Sequence, residues 1–346
     1  MSTMHSPPAV WFPTVRTGTG TDVFTETLVA GLRERGIRAE ITWLPLRAEY
    51  APWSVPVPEP PAWANVAHVN TWLHTRFLPH SLPVVATIHH SVHHPDLRTY
   101  KGTARAAYHR FWIAPNERRV MRLASKVCAV SKFVAQTAKE TLSDLPMDVI
   151  YNGVDTDRYR PCASRPSHKP FRLLYVGSWR ALKGVDMLAP IMRELGDDFE
   201  LLYTGGSDAR KDKLDMPENM QDIGRLDGSD PVIAAMQDAD AFVFPSRSEG
   251  FGLVAAEAMA CGLPVIAGRG GALAELIEDG VTGMLCTPND TAGFIEAVRC
   301  LASDCQVLRR MSHMAVERTR GHFSITYMVN AYVELYSRSF LAEPSS

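Results

Sequence analysis

The chain has 346 residues, 46% of them hydrophobic and 21% charged, with a formal net charge of -2; that is too long for one small core and suits two globular domains, each with its own interior. A balance so close to neutral excludes the whole-chain field that gathers nucleic acid or an anionic bilayer, so any anion site is local. No window approaches the about eighteen uninterrupted apolar residues of a spanning helix, the N-terminal MSTMHSPPAV lacks a basic start followed by an apolar run, and the cysteines form no C-x-x-C pair, so a cytoplasmic protein, neither exported nor transmembrane, is expected.

From Ala9 to Pro13 a short apolar run leads into the loop Thr17-Gly18-Thr19-Gly20-Thr21. A helical pattern follows, with Val23, Leu28, Leu32 and Ile37 at apolar positions and Gly36 as its stop. Further strands are expected at 39–44, 66–69, 84–88, 127–130 and 149–151, most of them separated by helix-length segments, with the proline-rich stretch 52–61 as a loop. Between Asp155 and Pro170 the composition turns proline-rich and basic without apolar periodicity, which reads as a connection between domains. Alternation restarts with strands at 173–176, 201–203, 241–244, 264–267 and 283–286, and an amphipathic segment runs from Phe323 to Phe340. The pattern predicts an α/β protein of two doubly wound, Rossmann-like domains: residues 1–160, joined by the C-terminal helix 324–342, and residues 161–323.

The strongest chemical signal is Glu249-Gly250-Phe251-Gly252-Leu253-Val-Ala-Ala-Glu257, placed after a strand and at the start of a helical run. Two glycines there let backbone approach a ligand, and the exposed amides with the helix dipole favour a diphosphate. Glu257 then suits a pair of ribose hydroxyls, and Glu249 faces the sugar. As a purely structural segment, Glu249 only complements the dipole and Glu257 is solvated. The stretch from Ser246 to Asp290, SRSEGFGLVAAEAMACGLPVIAGRGGALAELIEDGVTGMLCTPND, resembles the donor-binding region of family-four retaining glycosyltransferases, which have the GT-B fold with two domains facing a central cleft. That resemblance implies contact of Glu249 with the transferred sugar, of Glu257 with the ribose, and of the amides from Gly250 through Leu253 with the phosphates.

A second segment, Val176-Gly-Ser-Trp-Arg180-Ala-Leu-Lys183-Gly184, puts two cations near a strand end, where they can neutralise a leaving diphosphate. The resembled family uses an Arg and a Lys in this way. Lys183 matches its place, whereas Ser178 stands where the family's Arg commonly lies and Arg180 comes two residues later; an ordinary solvated loop face is the alternative.

In the first half, Thr87-Ile-His89 ends a strand, and the resemblance implies donor-sugar contact by His89. His89, His90, His93 and His94 lie within six residues and raise a metal as an alternative, but no Cys, Asp or Glu stands at ligand spacing before Asp96 and Pro95 interrupts a helix. The loop Gly18-x-Gly20 partly matches a dinucleotide fingerprint with Glu40 downstream, yet Val23 fills the third glycine position. The resemblance sets this loop under the donor phosphates. Asp238-Ala-Asp240 spells D-x-D, but precedes a buried strand, so Asp240 is read as a turn or cap residue and no metal or other cofactor is expected. The segments 129–134, 152–155 and 240–246, with Ser131, Asn152, Asp155 and Ser246, also agree with the family and are read as mainly structural.

Together these features predict a metal-independent, retaining glycosyltransferase. It would move a sugar from a UDP- or GDP-sugar to a glycan or lipid-linked acceptor in cell-surface polysaccharide synthesis, with no protein nucleophile. Arg105, Arg110, Arg118, Arg119 and Arg122 with Phe111 and Trp112 suggest a peripheral membrane contact. A sugar-nucleotide epimerase, a non-catalytic sugar-nucleotide binder and an NAD-dependent oxidoreductase are the rival readings.

Overall fold

The computed structural model describes residues 7–90, 93–100, 102–163 and 167–339. The chain forms two compact units. One runs to Gly153 and takes up the chain again from Ile325; the other is Val154–Ser324.

The first unit is built on a parallel sheet of β1 (Val10–Val15), β2 (Ala39–Leu44), β3 (Val66–Asn70), β4 (Val84–Ile88), β5 (Lys126–Ala129) and β6 (Asp148–Val149), in the order β2-β1-β3-β4-β5-β6. Every residue of β1 is buried, as a strand covered on both faces requires. Its alternate side chains feed opposite layers, because successive residues point to opposite faces of a sheet. Val10 and Phe12 join Phe24, Leu28 and Leu32 on one face, and Trp11 and Val15 join Leu73 and Phe77 on the other.

The helix Gly20–Glu34 lays Phe24, Leu28 and Leu32 on the sheet at i, i+4 and i+8 spacing. Val23, expected among its inward positions, is 55% exposed, and Ile37 lies beyond the helix end at Glu34. Phe24, one residue on from Val23, takes the inward place. The terminal helix Ile325–Ser339 completes the same layer with Met328, Val329, Tyr332, Leu335 and Tyr336. Beneath it His68 is held between the Tyr336 hydroxyl at 2.6 Å and Thr87 Oγ1 at 2.8 Å. Burial pushes its pKa down to about 3, so it is a neutral core group.

The second unit repeats the plan with β7 (Phe171–Tyr175), β8 (Phe199–Tyr203), β9 (Met220–Asp222), β10 (Ala241–Phe244), β11 (Val265–Gly268) and β12 (Gly283–Cys286), all parallel and ordered β12-β11-β10-β7-β8-β9. The short edge strand β9 has no apolar alternation and was not expected from the sequence. Strand order reverses between β1 and β3 in the first sheet and between β7 and β10 in the second. In open α/β sheets ligands gather at the carboxyl ends of the strands that flank such a reversal. For these sheets those ends are Thr14 to Gly20 with Asn70, and Val176 to Gly184 with Pro245 to Glu249.

Candidate active site

In the second unit the segment after β10 carries Glu249 back toward the loop after β7. Its Oε1 accepts from Lys183 Nζ at 2.5 Å and from Ser246 Oγ at 2.6 Å, and the carboxylate is largely buried. Two charge-assisted bonds to one oxygen fix the side chain and leave Oε2 without a hydrogen-bond partner among the described residues. Lys183 reaches this place through a tight turn. Gly184 is in the left-handed region at φ +71°, and a Cβ there would lie 2.1 Å from the Pro245 carbonyl oxygen, so the two loops touch backbone to backbone. Arg247 braces the same junction, its Nη1 and Nη2 each donating to Asp186 at 2.7 Å and its Nε to Asn289 at 2.7 Å. The guanidinium bond holds the Asp186 carboxyl below its usual range.

From below, the loop after β11 presses on the glutamate backbone. Gly271, at φ +64°, comes so near that a Cβ would stand 2.3 Å from the Glu249 carbonyl oxygen, which also accepts from Ala272 N at 2.9 Å. Gly252 then caps the helix Leu253–Ala260, whose first-turn amides of Leu253 and Val254 have no intrahelical acceptor. Gly250 and Phe251 are buried, and the Phe251 ring packs edge-on against Phe323, so only backbone from these two residues is offered to a ligand.

Glu257 lies on the same helix, partly buried. Burial raises its pKa to about 7, opposed by a hydrogen bond from the Tyr159 hydroxyl. Tyr159 itself is buried and pushed up to about 12, first by desolvation and then by the nearby carboxylate. Tyr159 was not among the sequence candidates, and Ser246 belonged to a segment read as mainly structural. Each carried a faint signal, Ser246 three residues before Glu249 and Tyr159 four residues after Asp155, whose carbonyl accepts the Tyr159 amide at 2.8 Å. Arg180 stands apart. Its side chain is exposed and forms no hydrogen bond or ion pair among the described residues, so of the expected cation pair only Lys183 is assembled with Glu249. A cavity of about 330 Å³ opens at the ends of β7 and β8, walled by Gly177, Trp179, Thr204, Gly206, Arg225 and Leu226.

In the first unit His89 follows β4, and its Nε2 meets Asn70 Oδ1 at 2.8 Å, while Asn70 Nδ2 donates to Thr14 Oγ1 at 2.9 Å. The network assigns the proton to Nε2 and a lone pair to Nδ1. Burial lowers the His89 pKa to about 3, which keeps the ring neutral.

The glycine loop is engaged from within the first unit. Asp22 accepts from Gly18 N at 2.7 Å, from Thr17 N at 2.9 Å and from Thr17 Oγ1 at 2.8 Å. The amide of Gly18 is thus already bonded to a carboxylate, whose charge repels a phosphate, whereas the Gly20 amide at the helix start makes no such bond among the described residues. The same carboxylate disfavours a pyrophosphate of NAD on this loop. The signal was legible as an acid two residues into the helix.

Other marked residues are structural. Ser131 caps the helix Lys132–Thr141 by accepting from Val134 N at 3.1 Å, and Asp155 Oδ1 accepts from Arg158 N at 3.0 Å. Asp240 Oδ2 accepts from Arg172 N at 2.8 Å, tying the start of β10 to β7. Among the described residues no three His, Cys, Asp or Glu side chains are grouped as a metal would need.

Two family models match the chain: "Glycosyl transferases group 1" over residues 170–304 and "Glycosyltransferase Family 4" over residues 62–158. The chain belongs to the family-four, group 1 glycosyltransferases. A glycogen synthase of Mycobacterium tuberculosis is 34% identical over 197 residues, covering 54% of this chain and 47% of the relative. A D-inositol 3-phosphate glycosyltransferase of Nocardia farcinica is 29% identical over 243 residues, covering 61% and 53%. The chain thus spans about half the length of these curated relatives. Among solved structures, sucrose-phosphate synthase from Thermosynechococcus elongatus superposes with a TM-score of 0.78 at 19% identity, covering 96% of this chain and 100% of that one. Anabaena Alr3699/HepE, solved in complex with UDP and glucose, superposes with a TM-score of 0.72 at 18% identity, covering 95% and 99%. These likenesses establish the GT-B fold of this family member.

Proposed function

We propose that this chain is a metal-independent, retaining glycosyltransferase that moves a sugar from a nucleoside diphosphate sugar, UDP- or GDP-linked, to a glycan or lipid-linked acceptor. The observation that carries the reading is the Glu249 carboxylate, fixed by Lys183 and Ser246 at the strand-order reversal of the second sheet, directly before a helix N-terminus. In this reading Glu249 orients the sugar through Oε2, and the amides at Leu253 and Val254 meet the diphosphate. Lys183 stabilises charge that grows on the leaving group, and Glu257 with Tyr159 holds the ribose. The cavity beside Trp179 seats the base. His89 serves as a neutral hydrogen-bonding group toward the sugar, and Arg180 joins the diphosphate only if it swings in when donor binds. The UDP and glucose of the Anabaena structure lend support to a nucleotide-sugar donor.

The test is thermal unfolding against UDP, GDP, ADP, their common sugar conjugates and NAD, because a ligand selective for the folded state raises its apparent stability. One nucleotide family should stabilise the protein, and the glycoside formed should keep the donor's anomeric configuration. Stabilisation by NAD alone, or conversion of the donor sugar without any acceptor, would overturn the reading.

A further inference from the structure

We propose that Arg247 is the positioning residue that holds Lys183 against Glu249, an inference that rests on the glycosyltransfer reading above for what the pair does. Arg247 stands two residues before Glu249 on the loop after β10, and its bonds fall on both sides of Lys183 in the loop after β7. On one side its backbone N–H donates to the Leu182 carbonyl at 3.0 Å and its Nη1 donates to the Ala181 carbonyl. On the other side Nη1 and Nη2 each donate to one oxygen of Asp186 at 2.7 Å. The turn that carries Lys183 is thus gripped before and after the lysine, by a residue whose own chain leads directly into Glu249.

The guanidinium is engaged inside the protein. Its side chain is 11% exposed, and Nε donates to Asn289 Oδ1 at 2.7 Å, so all three of its nitrogens donate to protein groups and it acts through its neighbours rather than on a ligand. Asn289 lies on the loop after β12 and is the single non-glycine residue at positive φ, +65°, among the described residues. Asparagine tolerates that region better than most side chains, and such backbone persists where its surroundings over-determine it. Behind the same residue a Cβ on Gly270 would lie 2.3 Å from the Arg247 carbonyl oxygen, so the loop after β11 packs directly on its backbone.

The grip matters because lysine is a poor self-positioner. Its ammonium sits on a flexible four-carbon stem, so the place of Nζ follows the place of the backbone beneath it. The close approach of Gly184 to Pro245 is a single contact about which the turn can pivot, and the Arg247 bonds on either side of Lys183 remove that freedom. The planar fork of an arginine meets both Asp186 oxygens at once, which an ammonium does not.

The experiment follows nucleotide release from UDP-glucose and GDP-mannose, together with acetylation of Lys183 by acetic anhydride, read on its peptide by mass spectrometry. Arg247→Ala should lower kcat by about 10²-fold, the effect of displacing a reacting-site group by roughly 1 Å, with the donor KM within about twofold of the unsubstituted value. Acetylation of Lys183 should rise by about tenfold as a charge-assisted bond loosens, while Lys126 and Lys139 react as before. In a Lys183→Ala background the same substitution should cause no further loss, because a residue that acts through Lys183 then has nothing to position. Unchanged kcat in a folded Arg247→Ala variant would overturn the assignment. So would losses that multiply in the double variant, since they mark a general loosening of the unit. Where Arg247→Ala does not melt cooperatively, Arg247→Lys takes its place in the same cycle, with a smaller loss expected because the charge stays and the fork is gone. If the unsubstituted chain turns over no nucleotide sugar, the glycosyltransfer reading falls by itself, and acetylation decides the grip: a Lys183 rate unchanged in the variant would overturn that as well.

Discussion

Lys183 and Glu249 form a 2.5 Å ion pair that joins the loop after β7 to the loop after β10. The pair neutralises the carboxylate before any ligand arrives and, in the proposed transfer, keeps the ammonium where leaving-group charge would develop. Removing the ammonium would take away that proposed contact and leave Glu249 with Ser246 alone. Lys183→Ala should lower kcat by about 10²-fold while the protein still melts cooperatively, in line with the loss of one preorganised charge stabiliser. Steady-state rates beside a melting curve check this; unchanged kcat in a folded variant removes Lys183 from the chemistry.

Glu257 titrates near neutrality because it is desolvated, its pKa raised to about 7. To accept from ribose hydroxyls it should be ionised, so nucleotide affinity should weaken as pH falls through about 7 and level off above about 8. Stability runs the other way. A raised folded-state pKa gives a contribution that is fully present below the unfolded value of 4.5 and is lost as pH rises through about 7. Calorimetric titration with UDP or GDP from pH 5.5 to 8.5 checks the first trend, and Glu257→Gln should flatten both. A pH-independent affinity in the unsubstituted chain would detach Glu257 from the nucleotide.

Strands 84–88 and 241–244 fall where expected because a parallel sheet covered on both faces turns its interior strands into apolar runs, and the part-buried edge strands 39–44 and 283–286 also fall in place. The E-x7-E segment was legible for a local reason too, one acid shortly before a glycine-capped helix and the other within it. What escaped depends on contacts distant in sequence. Tyr159 reaches Glu257 across about a hundred residues of chain, and the Glu117 partner of His93 lies 24 residues downstream. Asp22, though local, was hidden by the glycine pattern, which suggests an open anion loop unless one asks where the amides go.

Gly184 offers a stability test of the same junction. Its φ of +71° disfavours any L side chain, and an added Cβ would meet the Pro245 carbonyl oxygen at 2.1 Å, a backbone atom with little room to move. Gly184→Ala should therefore cost more than the about 1 kcal/mol typical of a left-handed site and lower Tm by several degrees. Because the turn also sets Lys183, kcat should fall with it. A variant that melts like the unsubstituted chain would show that the loops after β7 and β10 are not locked together there.

The first unit presents aromatic and basic side chains together on one surface. Tyr50, Trp53 and Phe111 are exposed, the last at 73%. Trp53 touches Trp112 at 6.4 Å between centroids, Tyr50 touches Tyr108 at 5.7 Å, and Arg110 lies over Phe111 at 5.6 Å. Of the five arginines expected on this surface, Arg118 is withdrawn, its guanidinium donating to the carbonyls of Leu142 at 3.0 Å and Thr141 at 2.9 Å. Arg105, Arg110, Arg119 and Arg122 remain exposed. No described helix is long and apolar enough to cross a membrane, but aromatic rings rimmed by arginines suit the headgroup level of an anionic bilayer. The chain should therefore sediment with vesicles containing phosphatidylglycerol and not with pure phosphatidylcholine, and about 0.5 M salt should release it, since salt at that strength screens beyond a few ångströms. Trp53→Ala with Phe111→Ala should weaken binding at low salt by about tenfold, through lost apolar insertion, without changing nucleotide-induced stabilisation. Equal sedimentation with both lipids, or none with either, would make this face an ordinary solvated surface.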